Sequence, residues 1–199
     1  MNYLIRGNRE TGREVYLFNL PIDKTCRPTP WCKEHCYGKI GNFSRFKKHV
    51  AKGARKRYKL SLSDEFVETI TKEIFRRKIK LVRVHAIGDF YSKEYVRKWV
   101  RIAKNCPQTK FRTTTKRRDF KDVILELHSL PNFNVRESLD PSFQTPTMGL
   151  PIAAIDTIDI AKNLFRCISD CKKCGYPCWH QKNLSDCFPI INGSQFHKK

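Results

Sequence analysis

Hydrophobic and polar positions in this chain repeat with two alternating periods, and each switch marks a new element. Residues 15–20 (VYLFNL) form a near-continuous apolar run closed by Pro21, the pattern of a buried strand. Over residues 64–77 the apolar positions Phe66, Val67, Ile70, Ile74 and Phe75 recur at helical spacing, with Ser63 placed to cap the start. Residues 81–86 (LVRVHA) read as a second strand. Ser92 then precedes a helical face of Tyr95, Val96, Trp99, Val100 and Ala103. A β-prone run (111–115), a helix (119–127), two more strands (133–139 and 151–156) and a short helix (159–165) follow.

Strands alternating with helices at about thirty residues per unit predict an α/β fold with parallel strands. Five units do not close an eight-fold barrel, so the expectation is a partial (open) βα barrel. Residues 1–160 would form it, and residues 161–199 would be a cysteine-rich extension packing on it. Chemistry in such sheets gathers at the carboxyl ends of the strands. Gly88 and Asp89 lie just past the second strand, and a group of cysteines lies just past the first. The two are expected to face each other.

Composition changes the picture through charge. Forty Lys+Arg against 19 Asp+Glu give a formal net charge of +21. Self-repulsion on that scale opposes folding, so a polyanionic partner is expected, with nucleic acid the best fit. The basic residues concentrate in Arg45, Lys47, Lys48, Lys52, Arg55, Lys56, Arg57 and Lys59, a stretch without one acid, with Phe43, Phe46 and Tyr58 beside it. A solvated surface helix explains the aromatics but not the missing acids. A channel for a phosphorylated small molecule is the other functional reading. With 40% hydrophobic residues the chain is globular rather than disordered. No run approaches the roughly 18 apolar residues of a membrane span, and the first ten residues lack the apolar core of a signal peptide. A cytoplasmic location with reduced thiols is the expectation. The odd count of nine cysteines also argues against a disulfide framework.

Seven of those nine cysteines fall in two groups. Cys26, Cys32 and Cys36 have spacing Cys-x5-Cys-x3-Cys; Cys167, Cys171, Cys174 and Cys178 have spacing Cys-x3-Cys-x2-Cys-x3-Cys. Structural zinc sites usually pair ligands in Cys-x2-Cys knuckles, which the first group lacks. His35 and His49 are the nearest candidates for a fourth ligand. Three thiolates suit a [4Fe–4S] cluster whose last iron is open to a substrate or cofactor. The second group supplies four ligands, for a second [4Fe–4S] cluster or, alternatively, zinc. Cys187 is a substitute ligand there, and Cys106 reads as a core thiol. Among weaker signals, His85 ends a strand, Arg136 and Ser138 share a strand face by alternation, Thr113 and Thr115 share another, and Trp31 and Trp179 flank the cysteine runs.

Three cysteines on the loop after the first strand of a partial barrel resemble the arrangement of radical S-adenosylmethionine enzymes, although those show Cys-x3-Cys-x2-Cys. A closer resemblance is to the phage gene product 88 family. It is carried by the Thr-Cys-x5-Cys-x3-Cys-Tyr run from Thr25 to Tyr37, by VRVHAIGDFYSKEYVRKW from Val82 to Trp99, and by the terminal Cys178-Trp179. The resemblance implies a radical-S-adenosylmethionine-like fold, two [4Fe–4S] clusters, and S-adenosylmethionine as a cofactor, held in part near Gly88 and Asp89. An enzyme of this kind would need an electron donor and act on a nucleic acid or nucleotide. The alternatives are a non-catalytic nucleic-acid-binding protein with structural metals, and a [4Fe–4S] enzyme independent of S-adenosylmethionine.

Overall fold

The computed structural model describes residues 2–8 and 11–189. Eight strands form one sheet: β1 (Ile5–Arg6), β2 (Val15–Phe18), β3 (Leu81–Val84), β4 (Lys110–Thr115), β5 (Phe133–Leu139), β6 (Ile152–Ile155), β7 (Phe165–Arg166) and β8 (Asp186–Phe188). Their spatial order is β1-β2-β3-β4-β5-β6-β8-β7. Every pairing is parallel except that of β1 with β2. The fold is thus mixed α/β with a mostly parallel sheet.

From β2 to β6 each strand lies beside its predecessor. Right-handed crossovers repeated in one direction carry their helices to one face of the sheet. The helices are α1 (Ile22–Thr25), α2 (Pro30–Glu34), α3 (Gly41–Arg45), α4 (Lys47–Leu62), α5 (Phe66–Arg76), α6 (Lys93–Asn105), α7 (Lys121–Ser129), α8 (Cys171–Cys174) and α9 (Pro177–His180). Under α5, α6 and α7 lies the main core, which includes Phe18, Ile70, Val82, Trp99, Phe111, Ile124 and Phe133. Trp99 is fully buried and meets Phe18, Phe66 and Phe111 edge-on, with ring centroids 5.4, 5.5 and 6.2 Å away. Each such buried side chain contributes roughly 1.5–3 kcal/mol.

The strand alternation then dictates what lies opposite. If Val82 and Phe111 face the helices, Arg83 and Arg112 face away from them. Asn134 and Arg136 on β5 join the same far face. Over it passes the cysteine-rich segment, which does more than pack on the sheet: it contributes β7 and β8 to it.

Two helix boundaries differ from expectation. Ser63 does not start α5; it ends α4, its hydroxyl donating to the Leu60 carbonyl at 2.9 Å. Residues 159–165 form a 3-10 turn, Asp159–Asn163, before β7. Ser92 caps α6 as expected, accepting from the Tyr95 N–H at 3.1 Å. The buried Lys98 of α6 donates to the carbonyls of Ser61 and Ser63 at 3.1 and 3.0 Å. A cation on these terminal carbonyls completes the end of α4 and fixes it beside α6.

Candidate metal centres and anion cavity

Pro21 stops β2, and the chain turns at the carboxyl edge of the sheet. Thr25 donates to the Pro21 carbonyl (2.8 Å) and accepts the Asp89 N–H (3.3 Å), so the loop after β2 is tied to the loop after β3. Cys26 ends α1. Thr29 caps α2 by accepting the Cys32 N–H (3.1 Å) and donates to Asp140 (2.6 Å). Cys36 leads into a 3-10 turn, Tyr37–Lys39. The backbone N–H of Gly88 lies near enough to Cys26 to favour its thiolate, against the burial that raises its pKa. Gly88 has φ +89°, and a Cβ there would lie 2.7 Å from Leu20 Cβ and 2.9 Å from the Leu20 carbonyl oxygen. Only glycine fits this turn beside the cysteine loop.

Two cavities meet at Cys26 and Cys32. The smaller, about 120 Å³, is bounded by these two, His85, Gly88, Asp89 and Lys116. The larger, about 720 Å³, opens between the cysteine loop and α4; Cys26, Cys32, Cys36, Phe43, Lys47 and Arg55 line it. Small-molecule sites fall in the range of roughly 300–1,000 Å³, which admits the second cavity and excludes the first.

Asp89 is buried beside the small cavity. Its carboxylate accepts the Phe90 N–H (2.7 Å) and the Thr115 hydroxyl (2.7 Å) on one oxygen, and the Lys116 N–H (3.0 Å) on the other. Three of about four acceptor positions are therefore used by the chain itself. Burial nevertheless holds its pKa above the usual carboxylate range. Lys116 reaches Asp140 at 2.7 Å and Ser138 at 2.8 Å; burial raises the Cys32 thiol above its usual range, and the Lys116 charge offsets part of that rise. His85, with φ +65°, is buried and bonded through Nε2 to the Tyr95 hydroxyl at 3.0 Å. Burial pushes its pKa down to about 3, so it is neutral.

Of the eight basic residues singled out from 45–59, seven are exposed, and Lys47 and Arg55 also border the large cavity. Arg57 is the correction. It is buried, its Nε donating to the Asn19 carbonyl at 2.7 Å, so it faces the protein and not a polyanion. The Asn19 side chain in turn accepts the Ala86 N–H at 2.9 Å. Arg57 and Asn19 thus moor the basic helix to the ends of β2 and β3. Neither Asn19 nor Lys116 was singled out by the sequence, since each acts through partners distant in the chain.

The second cysteine group lies over the far face of the sheet. The Cys178 carbonyl accepts from Asn134 Nδ2 (3.2 Å) and Arg136 Nη2 (3.0 Å). Trp179 is buried there, whereas Trp31 stacks on His35 with centroids 4.5 Å apart. Cys187 belongs to a small core with Leu139 and Ala154, and Cys106 to the main core. Arg136 and Ser138 do share a face, but Arg136 serves the cysteine segment and Ser138 serves Lys116. Thr115 is committed to Asp89 and Thr113 is buried.

Burial pushes the Cys26 thiol up to about 12, assisted by Asp89 and the other two cysteines, and pushes Cys171 up to about 11. Such thiols are not nucleophiles at neutral pH. Metal coordination is the chemistry that holds buried thiols deprotonated. Among the described residues no three His, Cys, Asp or Glu side chains converge closely enough to share one ion. Tetrahedral zinc would need four donors roughly 2.0–2.3 Å from one point. The thiolates of an iron–sulfur cluster bind separate irons and need no such convergence. The donor set, all sulfur, fits a cluster. No helix among the described residues is long and apolar enough to cross a membrane.

Residues 3–159 match the profile of the family described as Gene product 88. The chain is also similar to the Gene 88 protein of Mycobacterium phage L5, with 29% identity over 149 residues. That alignment covers 68% of this chain and 54% of the phage protein, so the chain spans about half the length of that relative. No solved structure matches the chain.

Proposed function

The chain belongs to the gene product 88 family, and from the geometry of its cysteine loop we propose an iron–sulfur enzyme acting on a nucleic acid or nucleotide. The carrying observation is that Cys26, Cys32 and Cys36 border one large cavity whose other wall is the basic helix α4. In this reading the three cysteines hold an open [4Fe–4S] cluster at the strand ends of an open βα barrel, and the C-terminal four hold another. When bound, the open cluster supplies electrons to a ligand on its free iron, S-adenosylmethionine in the reading we favour.

The chain's own residues do the rest. The Gly88 N–H steadies the Cys26 sulfur, and Lys116 offsets negative charge at Cys32. Lys47 and Arg55 meet the phosphates of the substrate, while Phe43, Val50 and Ala54 give its apolar part a surface. Asp89 organises the loop through Phe90, Thr115 and Lys116. With most of its acceptor capacity spent, it leaves little for a cofactor ammonium group.

The test is anaerobic reconstitution with iron and sulfide, followed by reduction with S-adenosylmethionine present. 5′-Deoxyadenosine above the level of a Cys26→Ala control is the expected product. Its absence from a fully loaded protein removes the S-adenosylmethionine assignment. Zinc without acid-labile sulfide removes the iron–sulfur assignment itself.

A further inference from the structure

The far face of the sheet carries more positive charge than its partners neutralise. The register of β3 and β4 sets Arg83 directly beside Arg112, and Arg112 beside Asn134. Arg136 follows two residues along β5 on the same face. Like charges opposite each other on neighbouring strands repel. Arg136 is completely buried, the Arg112 side chain is 12% exposed, and Arg83 is half-buried. Among the described residues one carboxylate answers them: Asp186, 3.0 Å from Arg112 Nη2 and 3.7 Å from Arg136 Nε. Arg112 Nε, Arg136 Nη1 and Asp186 Oδ1 are all buried without a hydrogen-bond partner. An uncompensated buried charge costs several kcal/mol, so a fold that keeps one of them, with half-buried Arg83 beside it, is incomplete as it stands.

The missing charge has an evident place. Arg136 Nη2 donates to the Cys178 carbonyl at 3.0 Å, and the cysteines lie within electrostatic reach of the arginines: all four of Arg112, Cys171 and Cys178 of Arg83, Cys167 and Cys178 of Arg136. Three guanidinium groups against one carboxylate leave two positive charges. Four neutral thiols do not alter that. Four thiolates around a cluster core of charge two plus carry two negative charges and close the balance. One further electron, from a low-potential one-electron donor, adds a negative charge beside the same guanidinium groups and breaks no bond.

We propose that Arg83, Arg112 and Arg136, with Asp186, form a charge socket that holds an anionic iron–sulfur centre on Cys167, Cys171, Cys174 and Cys178 and eases its reduction. The socket rests on the iron–sulfur reading above but is tested apart from it. In a Cys26→Ala/Cys32→Ala/Cys36→Ala background only the C-terminal centre can load. Iron, sulfide and zinc are counted after anaerobic reconstitution, and the centre is titrated with dithionite by electron paramagnetic resonance. Arg112→Gln and the less buried Arg83→Gln each move the midpoint potential to more negative values, and Arg112→Lys moves it less. In the metal-free chain Arg83→Gln raises the melting temperature, because it removes an unanswered charge; a merely structural arginine would lower it. A loaded centre whose potential is the same in all variants, or a metal-free Arg83→Gln chain that melts earlier, overturns the socket and leaves the cluster standing. A parent that takes zinc, or no metal, overturns the iron–sulfur reading at this site and the socket with it.

Discussion

Arg57 and its neighbours Arg55 and Lys56 are adjacent in sequence and opposite in role, which makes them a sharp test of how α4 is seated. Arg57→Met keeps the aliphatic stem and removes the bond to the Asn19 carbonyl. A buried hydrogen bond to a charged group contributes about 1.5–3 kcal/mol, and the orphaned carbonyl adds to its loss. The burial that pushes the Arg57 pKa down to about 10 works the other way, since methionine escapes that desolvation. The net expectation is a loss of about 2 kcal/mol, which at this chain length is a fall of roughly 4–8 °C in melting temperature. Arg55→Gln/Lys56→Gln removes two exposed charges, each contributing about 0–1 kcal/mol at most, and leaves the melting temperature within a few degrees. Oligonucleotide affinity across a salt series should divide them in the opposite sense. Each lost phosphate contact flattens the slope of log K against log salt by about 0.7–0.9, so the double variant flattens it by up to about 1.8. Arg57→Met leaves the slope alone. Should Arg57→Met flatten the slope without lowering the melting temperature, the seating of α4 described above is wrong. If neither variant changes a slope, or none exists, nucleic acid is not the partner.

Lys98→Met strips the cation from the end of α4 and is expected to cost about 2–3 kcal/mol by urea unfolding, with amide exchange at residues 58–62 rising first. Trp99→Ala leaves a cavity among Phe18, Phe66 and Phe111 and should cost about 3–5 kcal/mol in the same assay. His128 accepts the Val135 N–H, and burial, with Lys182 and Arg136 nearby, pushes its pKa down to about 4. The unfolded chain binds that proton below a pH of about 6.5, so stability falls as pH drops from there towards 4 and is unaffected above. His128→Asn should remove this component from the pH dependence of the melting temperature.

Elements with a long, clean period were legible. The strand 133–139 was read to its ends, and α6 was read with its Ser92 cap, because one buried face and one polar neighbour suffice to define each. The two- and three-residue strands β1, β7 and β8 have no period to read. Ser63 misled because a serine before an apolar run is the signature of a helix start, while the preceding helix was visible only as a block of charge. The loop tying Thr25 to Asp89 could be anticipated, since both lie just past neighbouring strands. The socket could not. Arg83, Arg112 and Asp186 become neighbours only through the strand order, and Asp186 sits on a strand too short to foresee. Arg57 looked like its neighbours because helical phase alone, without the position of Asn19, does not say which basic residue turns inward.

The strand order also has a consequence for how the protein is made. β8 lies between β6 and β7, so the chain first passes by an unfilled place in its own sheet and later returns to occupy it. The return path, residues 167–185, is the segment that bears the four C-terminal cysteines. Until that path is ordered, β6 presents a row of unpaired backbone groups, a template for strands of other chains. In the proposed reading, loading of the C-terminal centre and sealing of the sheet are therefore one event in biogenesis. Iron supply during expression should set how much of this protein stays out of inclusion bodies, before it sets how much of it is active.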